Sequence, residues 1–210
     1  MVCRYRPSRP PVTSAILIRM TATKAAIICL PNKHLRQKSD RVHVITPETL
    51  QLIQDMQSAT LDWEDSRPHE LGVALAAVQI DQLQRVVIVR GDFDNKDDQS
   101  FFVLINPEII KAEGKPVYDH EGCLSVRDIY GLVPRYPRVR VKAKDAEGRE
   151  IRVKAEGFLA RILQHEIDHT NGILFVDHIK GQDAFFQLDD DGQLVKLNLT
   201  DVESNHILWD

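Results

Sequence analysis

Several things are scarce in this 210-residue chain, and each scarcity excludes something. No apolar run approaches the roughly 18 residues of a membrane-spanning helix; residues 25–30 are typical of what it offers. Neither a membrane span nor a secretory leader is therefore expected. Cysteine is rare: Cys3, Cys29 and Cys123 are odd in number and far apart, so a disulfide framework is not expected and a reducing compartment is. Basic excess is missing, with 27 Lys and Arg against 31 Asp and Glu and a net charge of −4. A globally basic nucleic-acid binder is not expected on that ground, nor a DNA partner. Ten glycines and ten prolines, with no internal repeat, rule out collagen-like and low-complexity chains. What is present, 43% hydrophobic and 28% charged residues, is the balance of one globular domain with appendages.

One local scarcity concerns charge. Residues 1–39 contain no Asp or Glu, while Arg4, Arg6, Arg9, Arg19, Lys24, Lys33, Arg36 and Lys38 are basic. Such a bias can mark an organellar transit peptide. The prolines of Arg-Pro-Ser-Arg-Pro-Pro at 6–11 argue against an amphipathic helix there. Residues 1–24 are read instead as a flexible basic extension, or as sequence upstream of a start at Met20. Residues 25–180 are then the catalytic unit, and 181–210 an acidic hairpin or tail packed on it, with Trp209 as its anchor.

The pattern is α+β: short, largely antiparallel strands around a central helix, with an N-terminal helix and a C-terminal hairpin. Residues 25–30 read as a first strand or extended segment. Thr46-Pro47-Glu48 starts a helix, with a capping hydroxyl, proline at the first position and a carboxylate at the positive end. Leu50, Ile53 and Met56 continue it, with Leu52 and Ala59 widening the stripe. Residues 63–69 look like a polar break, and 71–80 are ambiguous. Strands are expected at 86–89 and at 101–105, the latter ending at Asn106-Pro107, and again at 109–112 and around Val117. Val139, Val141 and Ala143 alternate with Arg140 and Lys142, a half-buried strand that turns at 146–148 and returns over 151–155. Gly157 precedes a helix with Phe158, Leu159, Ile162 and Leu163 on its apolar side. Asp190-Asp191-Gly192 between residues 185–188 and 194–197 signals a late hairpin.

Chemistry concentrates in Gln164-His165-Glu166-Ile167-Asp168-His169. Residues four apart share a helix face, so His165 and His169 can meet on one metal. Glu166, beside the first, can reach a water held there. The plain alternative is a polar helix face with two solvated histidines. A third ligand is needed. The position that would carry a third His in one protease pattern is Phe175, and Glu203 is the sole Glu after Glu166, far off in a polar tail. Glu121-Gly122-Cys123-Leu124-Ser125 offers a better one, since a thiolate with two imidazoles leaves one tetrahedral position open. A small-residue segment, Gly72-Val73-Ala74-Leu75-Ala76-Ala77-Val78-Gln79, ends in an amide that can both donate and accept.

Taken together and in this order, the three segments resemble peptide deformylase. The second and third agree with that family's pattern at every specified position; in the first, Ala74 stands where the family has glycine. The likeness covers roughly residues 25–180, including Asn106-Pro107, Leu132-Val133-Pro134-Arg135 and Gly172-Ile173-Leu174-Phe175-Val176-Asp177. It implies that Cys123, His165 and His169 hold one divalent metal, ferrous iron first, with zinc, nickel or cobalt able to replace it. Glu166 would be the general base, and the Gln79 amide and the Leu124 N–H would stabilise the oxyanion. The substrate would be the N-formylmethionyl end of a newly made polypeptide, releasing formate in the cytoplasm, with an organelle as the minor alternative. Val73, Ala74, Phe158 and Ile162 are expected to bind substrate. A methyl group is costly at positive φ, so Ala74 is expected at ordinary negative φ, narrowing the pocket. Transient ribosome contact is plausible, but not through the acidic tail. A protease of internal bonds, or a silent metal-binding relative, are the competing readings.

Overall fold

The structure, a computed structural model, describes residues 22–67, 70–180, 184–189 and 191–197; the stretch 1–21 and Trp209 lie outside the described residues. Its elements follow in chain order. A long helix α1 (Pro47–Asp65) is followed by strands β1 (Ala74–Ala76), β2 (Val86–Arg90), β3 (Phe101–Glu113), β4 (Val117–Cys123), β5 (Val126–Arg135), β6 (Arg138–Lys144) and β7 (Glu150–Glu156). A second helix, α2 (Gly157–His169), and a terminal hairpin of β8 (Phe185–Leu188) and β9 (Leu194–Lys196) complete the fold. Every strand pairing is antiparallel, in two sheets ordered β1-β2-β3-β6-β7 and β4-β5-β8-β9. The α+β class, the two helices and the late hairpin are thus as the sequence indicates.

The five-stranded sheet lies between the helices. Alternation along its strands sends Leu75, Val86, Ile88 and Ile105 toward Leu52, Ile53, Met56 and Ala59 of α1. Ala74, Ala76, Val87, Val89, Leu104, Val139 and Val141 turn the other way, onto Ala160, Ile162, Leu163 and Ile167 of α2. Buried on both faces, β2 has no polar alternation to show, and its sequence reads as an unbroken apolar run. A third cluster, with Val126, Ile129, Val133, Leu174, Phe175 and Phe185, fills the space under the smaller sheet. Helix α2 thereby has the large sheet on one side and the small sheet near its other, which brings its histidines to the end of β4.

Local starts behave as expected and stops do not. The Thr46 hydroxyl accepts the Thr49 N–H at 3.4 Å, with Pro47 in the first turn. Leu50 falls off the buried stripe and is 41% exposed, since the stripe runs through Thr49, Leu52, Ile53, Met56 and Ala59. The helix also continues through Trp63 to Asp65 instead of breaking at residue 63. Residues 25–30 form no strand: a 3-10 turn (Lys24–Ala26) leads into extended chain outside both sheets. Asn106-Pro107 does not end its strand. It is a bulge inside β3, with Asn106 at φ 54° and its amide bonded both ways to the Val42 backbone at 2.8 Å. The Arg85 guanidinium donates to the Pro107 carbonyl at 3.1 and 3.2 Å.

One ion pair inside this frame has no sequence signal. Arg90 is fully buried and Glu64 is 3% exposed, and the Arg90 Nη1 meets Glu64 Oε2. Glu64 also accepts the Gly72 N–H at 3.0 Å, while Arg90 donates to the Gly72, Asp98 and Lys96 carbonyls. The pair clamps the entry to β1 against α1. Gly72 must be glycine for this approach, because a Cβ there would come within 2.6 Å of Thr60 Cγ2.

Residues 28–39 bond the first two motif segments and the residue that follows the third. The Ile28 N–H donates to Gln79 O at 2.8 Å, Leu30 to Ser125 O at 2.9 Å, and Ser39 to Thr170 O at 2.9 Å. His34 pairs with Asp81, and Arg36 with Asp177.

Candidate metal centre

Helical spacing and a strand end assemble the centre. His165 and His169 stand one turn apart on α2, and Cys123 closes β4 just before the two-residue turn Leu124-Ser125 into β5. The Cys123 Sγ lies 3.2 Å from His169 Nε2, which lies 3.2 Å from His165 Nε2. All three donor atoms fall within 4.8 Å of one another. His169 is fully buried, His165 is 8% exposed and Cys123 is half-buried.

A charged layer beneath holds His165 in place. Glu121 Oε2 accepts from His165 Nδ1 at 2.9 Å, which leaves Nε2 facing the centre. Arg135 grips Glu121 with two bonds, 2.9 and 3.0 Å, and Arg161 adds a third at 2.8 Å. Arg135 also reaches Asp168, which takes His178 Nε2 at 2.7 Å. Burial alone would push the Glu121 carboxyl up; the bonds from His165 and Arg135 outweigh it and hold it well below the usual range. His165 is likewise opposed by burial, but Cys123 and Glu121 raise its pKa. His169 goes the other way, lowered by burial and by its neighbours His165 and Arg135. Sequence reasoning named none of Glu121, Arg135 and Arg161 as functional. Glu121 stands two residues before Cys123, so strand alternation put both on one face of β4 and could have found it.

The donor set fits a divalent cation. Two ring nitrogens 3.2 Å apart can share one proton or one positive ion, and a thiolate and two imidazoles are the soft and borderline ligands such ions take. Two further buried atoms beside them, Glu166 Oε2 and His169 Nδ1, make no hydrogen bond among the described residues. Burial without a partner pushes the Glu166 carboxyl up to about 7.

Gln79 is fixed by its own backbone. It sits in the 3-10 turn Ala77–Ile80 after β1, and its Oε1 accepts the Ala76 N–H at 2.8 Å. That bond assigns the amide, so Nε2 donates toward Cys123 Sγ at 3.5 Å and Ser125 Oγ at 3.2 Å. Ser125 N–H also points at Cys123 Sγ, 3.4 Å away. Leu124 occupies the first position of the β4–β5 turn, where its N–H is outside the ladder.

The four residues expected to bind substrate separate. Ile162 is 4% exposed and packs with α2 against the large sheet. Ala74 lies in β1, outside the left-handed region as expected, but is only 2% exposed, its side chain inside the same cluster. Val73 is partly buried against that cluster. Phe158 does not lie on a buried face: it is 53% exposed, its ring edge-on to Phe93 at 5.4 Å. A cleft next to Cys123 is lined by Trp63, Arg67, Glu70, Leu124, Arg127 and Tyr130, and the Tyr130 hydroxyl bonds Glu70 across it.

Comparison with known proteins bears on this geometry. The family described as polypeptide deformylase matches residues 24–185. A peptide deformylase of Thermomicrobium roseum is 44% identical over 168 residues, 79% of this chain and 91% of that protein. One from Halothermothrix orenii is 46% identical over 145 residues, 69% of this chain and 86% of the other. Among solved structures, a peptide deformylase from Legionella pneumophila superposes with a TM-score of 0.67 at 38% identity, covering 76% of this chain and 87% of that one. One from Synechococcus elongatus in complex with actinonin gives 0.67 at 36%, covering 74% and 80%.

Proposed function

The chain belongs to the polypeptide deformylase family, and from that premise we propose how its residues divide the work of removing the N-formyl group from the N-terminal methionine of newly made polypeptides. The enzyme is a metal-dependent hydrolase that releases formate. The observation that carries the reading is the convergence of Cys123, His165 and His169, three ligand atoms within 4.8 Å at the mouth of a buried carboxyl.

Cys123, His165 and His169 hold the metal, ferrous iron in preference to zinc, nickel or cobalt; the family likeness favours iron, and the thiolate–imidazole set accommodates all four. A divalent metal held there would supply the Lewis acidity that polarises a formyl carbonyl and makes a water nucleophilic near neutral pH. Glu166 takes the proton from the attacking water and delivers it to the departing amine. Its buried, unpartnered oxygen supports this role. The Gln79 Nε2 and Leu124 N–H receive the negative charge that grows on the formyl oxygen, both being aimed or left free by local geometry. Glu121, clasped by Arg135 and Arg161, keeps His165 in the tautomer that presents Nε2. Val73, Ala74 and Ile162 belong to the core behind the centre and Phe158 to the surface beside Phe93, so the side chains that meet substrate are those of the cleft next to Cys123, Trp63, Leu124 and Tyr130 among them.

The catalytic unit is residues 25–180. A substrate that emerges from the ribosome supports a cytoplasmic enzyme in transient contact with the ribosome. Among the described residues, no helix is long and apolar enough to cross a membrane. The test is formate release from formyl-Met-Ala-Ser by ferrous-loaded protein without oxygen. Cleavage of internal peptide bonds, or metal binding with no turnover, overturns the assignment.

A further inference from the structure

The outer face of β6 and β7 carries charge that its own fold does not balance. Register puts Arg140 opposite both Lys111 of β3 and Lys154 of β7, three cations in one row. The next row sets Lys142 between Glu108 of β3 and Arg152 of β7, while on the other side Arg138 lies between Glu113 and Glu156. Like charges directly opposite on one face destabilise a sheet, and here two such rows are adjacent. Carboxylates relieve them only in part. Glu113 serves Lys111 and Arg140 at 2.8 and 3.4 Å, and Glu150 serves Lys142 at 3.2 Å. Arg138, Lys144, Arg152 and Lys154 make no ion pair among the described residues. Arg138, Arg140, Arg152 and Lys154 are exposed. All this occurs in a chain whose net charge is −4.

Adjacent strands are about 4.8 Å apart, so the row Lys111–Arg140–Lys154 spans about 10 Å. That is a ladder of cations for a polymer with regularly spaced phosphates. We propose that this face docks RNA, with Lys111, Arg140, Arg152 and Lys154 meeting its backbone phosphates. Val139, Val141 and Ala143 of the same strand point inward to α2, so docked RNA lies on the side of the sheet away from α2 and its metal ligands. The contact reads charge and spacing, not base sequence. It rests on the nascent-chain reading and deepens it by naming what the enzyme docks on.

Fluorescence anisotropy of a labelled RNA hairpin tests it on the full chain. Wild-type affinity is expected to fall about 20- to 50-fold between about 50 and 200 mM KCl, as for three to four neutralised phosphates. The triple variant Arg140→Gln, Arg152→Gln, Lys154→Gln is expected to bind about tenfold more weakly, with a shallower salt slope. Formate release from formyl-Met-Ala-Ser should be unchanged in it, so failure of docking and failure of the deformylase reading are separable. Arg152→Glu gives a second readout: relief of the Lys142 opposition should raise the unfolding midpoint by about 1–3 °C while RNA affinity falls. RNA affinity equal in wild type and triple variant, or no RNA bound at low salt, overturns the proposal. So does capture on anionic phospholipid vesicles without RNA binding.

Discussion

Glu121 and His165 are joined at 2.9 Å through the ring nitrogen that faces away from the metal centre, and the carboxylate is itself held by two arginines. The bond fixes both the tautomer and the tilt of the ring. Replacing Glu121 by Gln or Ala is expected to weaken metal retention about 10- to 100-fold, the usual scale for a partner of a ligating histidine. Competition with a chelator, followed by elemental analysis, reads it out. Both variants strip Arg135 and Arg161 of the buried carboxylate, but Ala also removes the acceptor oxygen and leaves a cavity, so its unfolding midpoint should drop more than that of the Gln variant.

Loss of any ligand should be all or none. Cys123→Ala, His165→Ala and His169→Ala are each expected to lose metal and formate release together. Stoichiometric metal retained in Cys123→Ala would remove the thiolate from the set. The ferrous form should lose activity in air or peroxide, since iron and thiolate both oxidise, while a zinc form should be weaker and stable.

Glu166→Gln should keep the metal and cut turnover by about 10²–10⁴, the range for a positioned acid–base group. The same variant has a signature in metal-free protein. The carboxyl is raised by burial from 4.5 to about 7, so the folded state prefers it protonated. Stability from this group is therefore complete at pH 4.5 and declines as pH climbs through 7. Metal-free Glu166→Gln should unfold at a higher temperature than wild type at pH 8, with the gap closing toward pH 5. A gap independent of pH would assign Glu166 no such burden.

The Glu64–Arg90 pair is fully enclosed, and cutting one partner strands the other. Arg90→Met is expected to destabilise by about 3–5 kcal/mol in denaturant titration. The double variant Glu64→Leu, Arg90→Met should lose less than the sum of the two single losses, because no charge is left unpaired.

Ala74→Gly tests the one departure from the family pattern. The side chain packs in the α2-side core, so removing its methyl should lower stability by about 1–2 kcal/mol, from lost burial and added chain freedom. Metal content should be unchanged, and KM should move no more than a few-fold.

Much of this centre was legible because its signals are local. The four-residue spacing of His165 and His169, the Thr46-Pro47-Glu48 start and the alternation of Val139, Val141 and Ala143 each depend on near neighbours. The unreadable parts come from distance. Asn106-Pro107 looks like a strand end until Val42 and Arg85, remote in sequence, satisfy the bulge. Glu64 reads as one more acid at a helix end, and only folding sets it on Arg90, 26 residues on. Glu121, Arg135 and Arg161 lie on two strands and a helix, and no window of sequence joins them. Phe158 follows the helical period but faces out, because the first turn of α2 turns Leu159 and Ala160 to the core and leaves the Phe158 ring edge-on to Phe93 at the surface.

The stretch 28–39, with backbone bonds to two motif segments and to Thr170 directly after the third, makes the lifetime of the centre a shared property. Amide hydrogens at Ile28, Leu30 and Ser39 should exchange with solvent as one cooperative opening unit, at a free energy common to all three. His34–Asp81 and Arg36–Asp177 lie on its exposed side and act as fasteners of that unit. Weakening either should speed exchange at all three amides alike, and a single proteolytic nick between residues 31 and 38 would release three motifs at once. The active site therefore ages at the rate of a segment that contributes no atom to its chemistry.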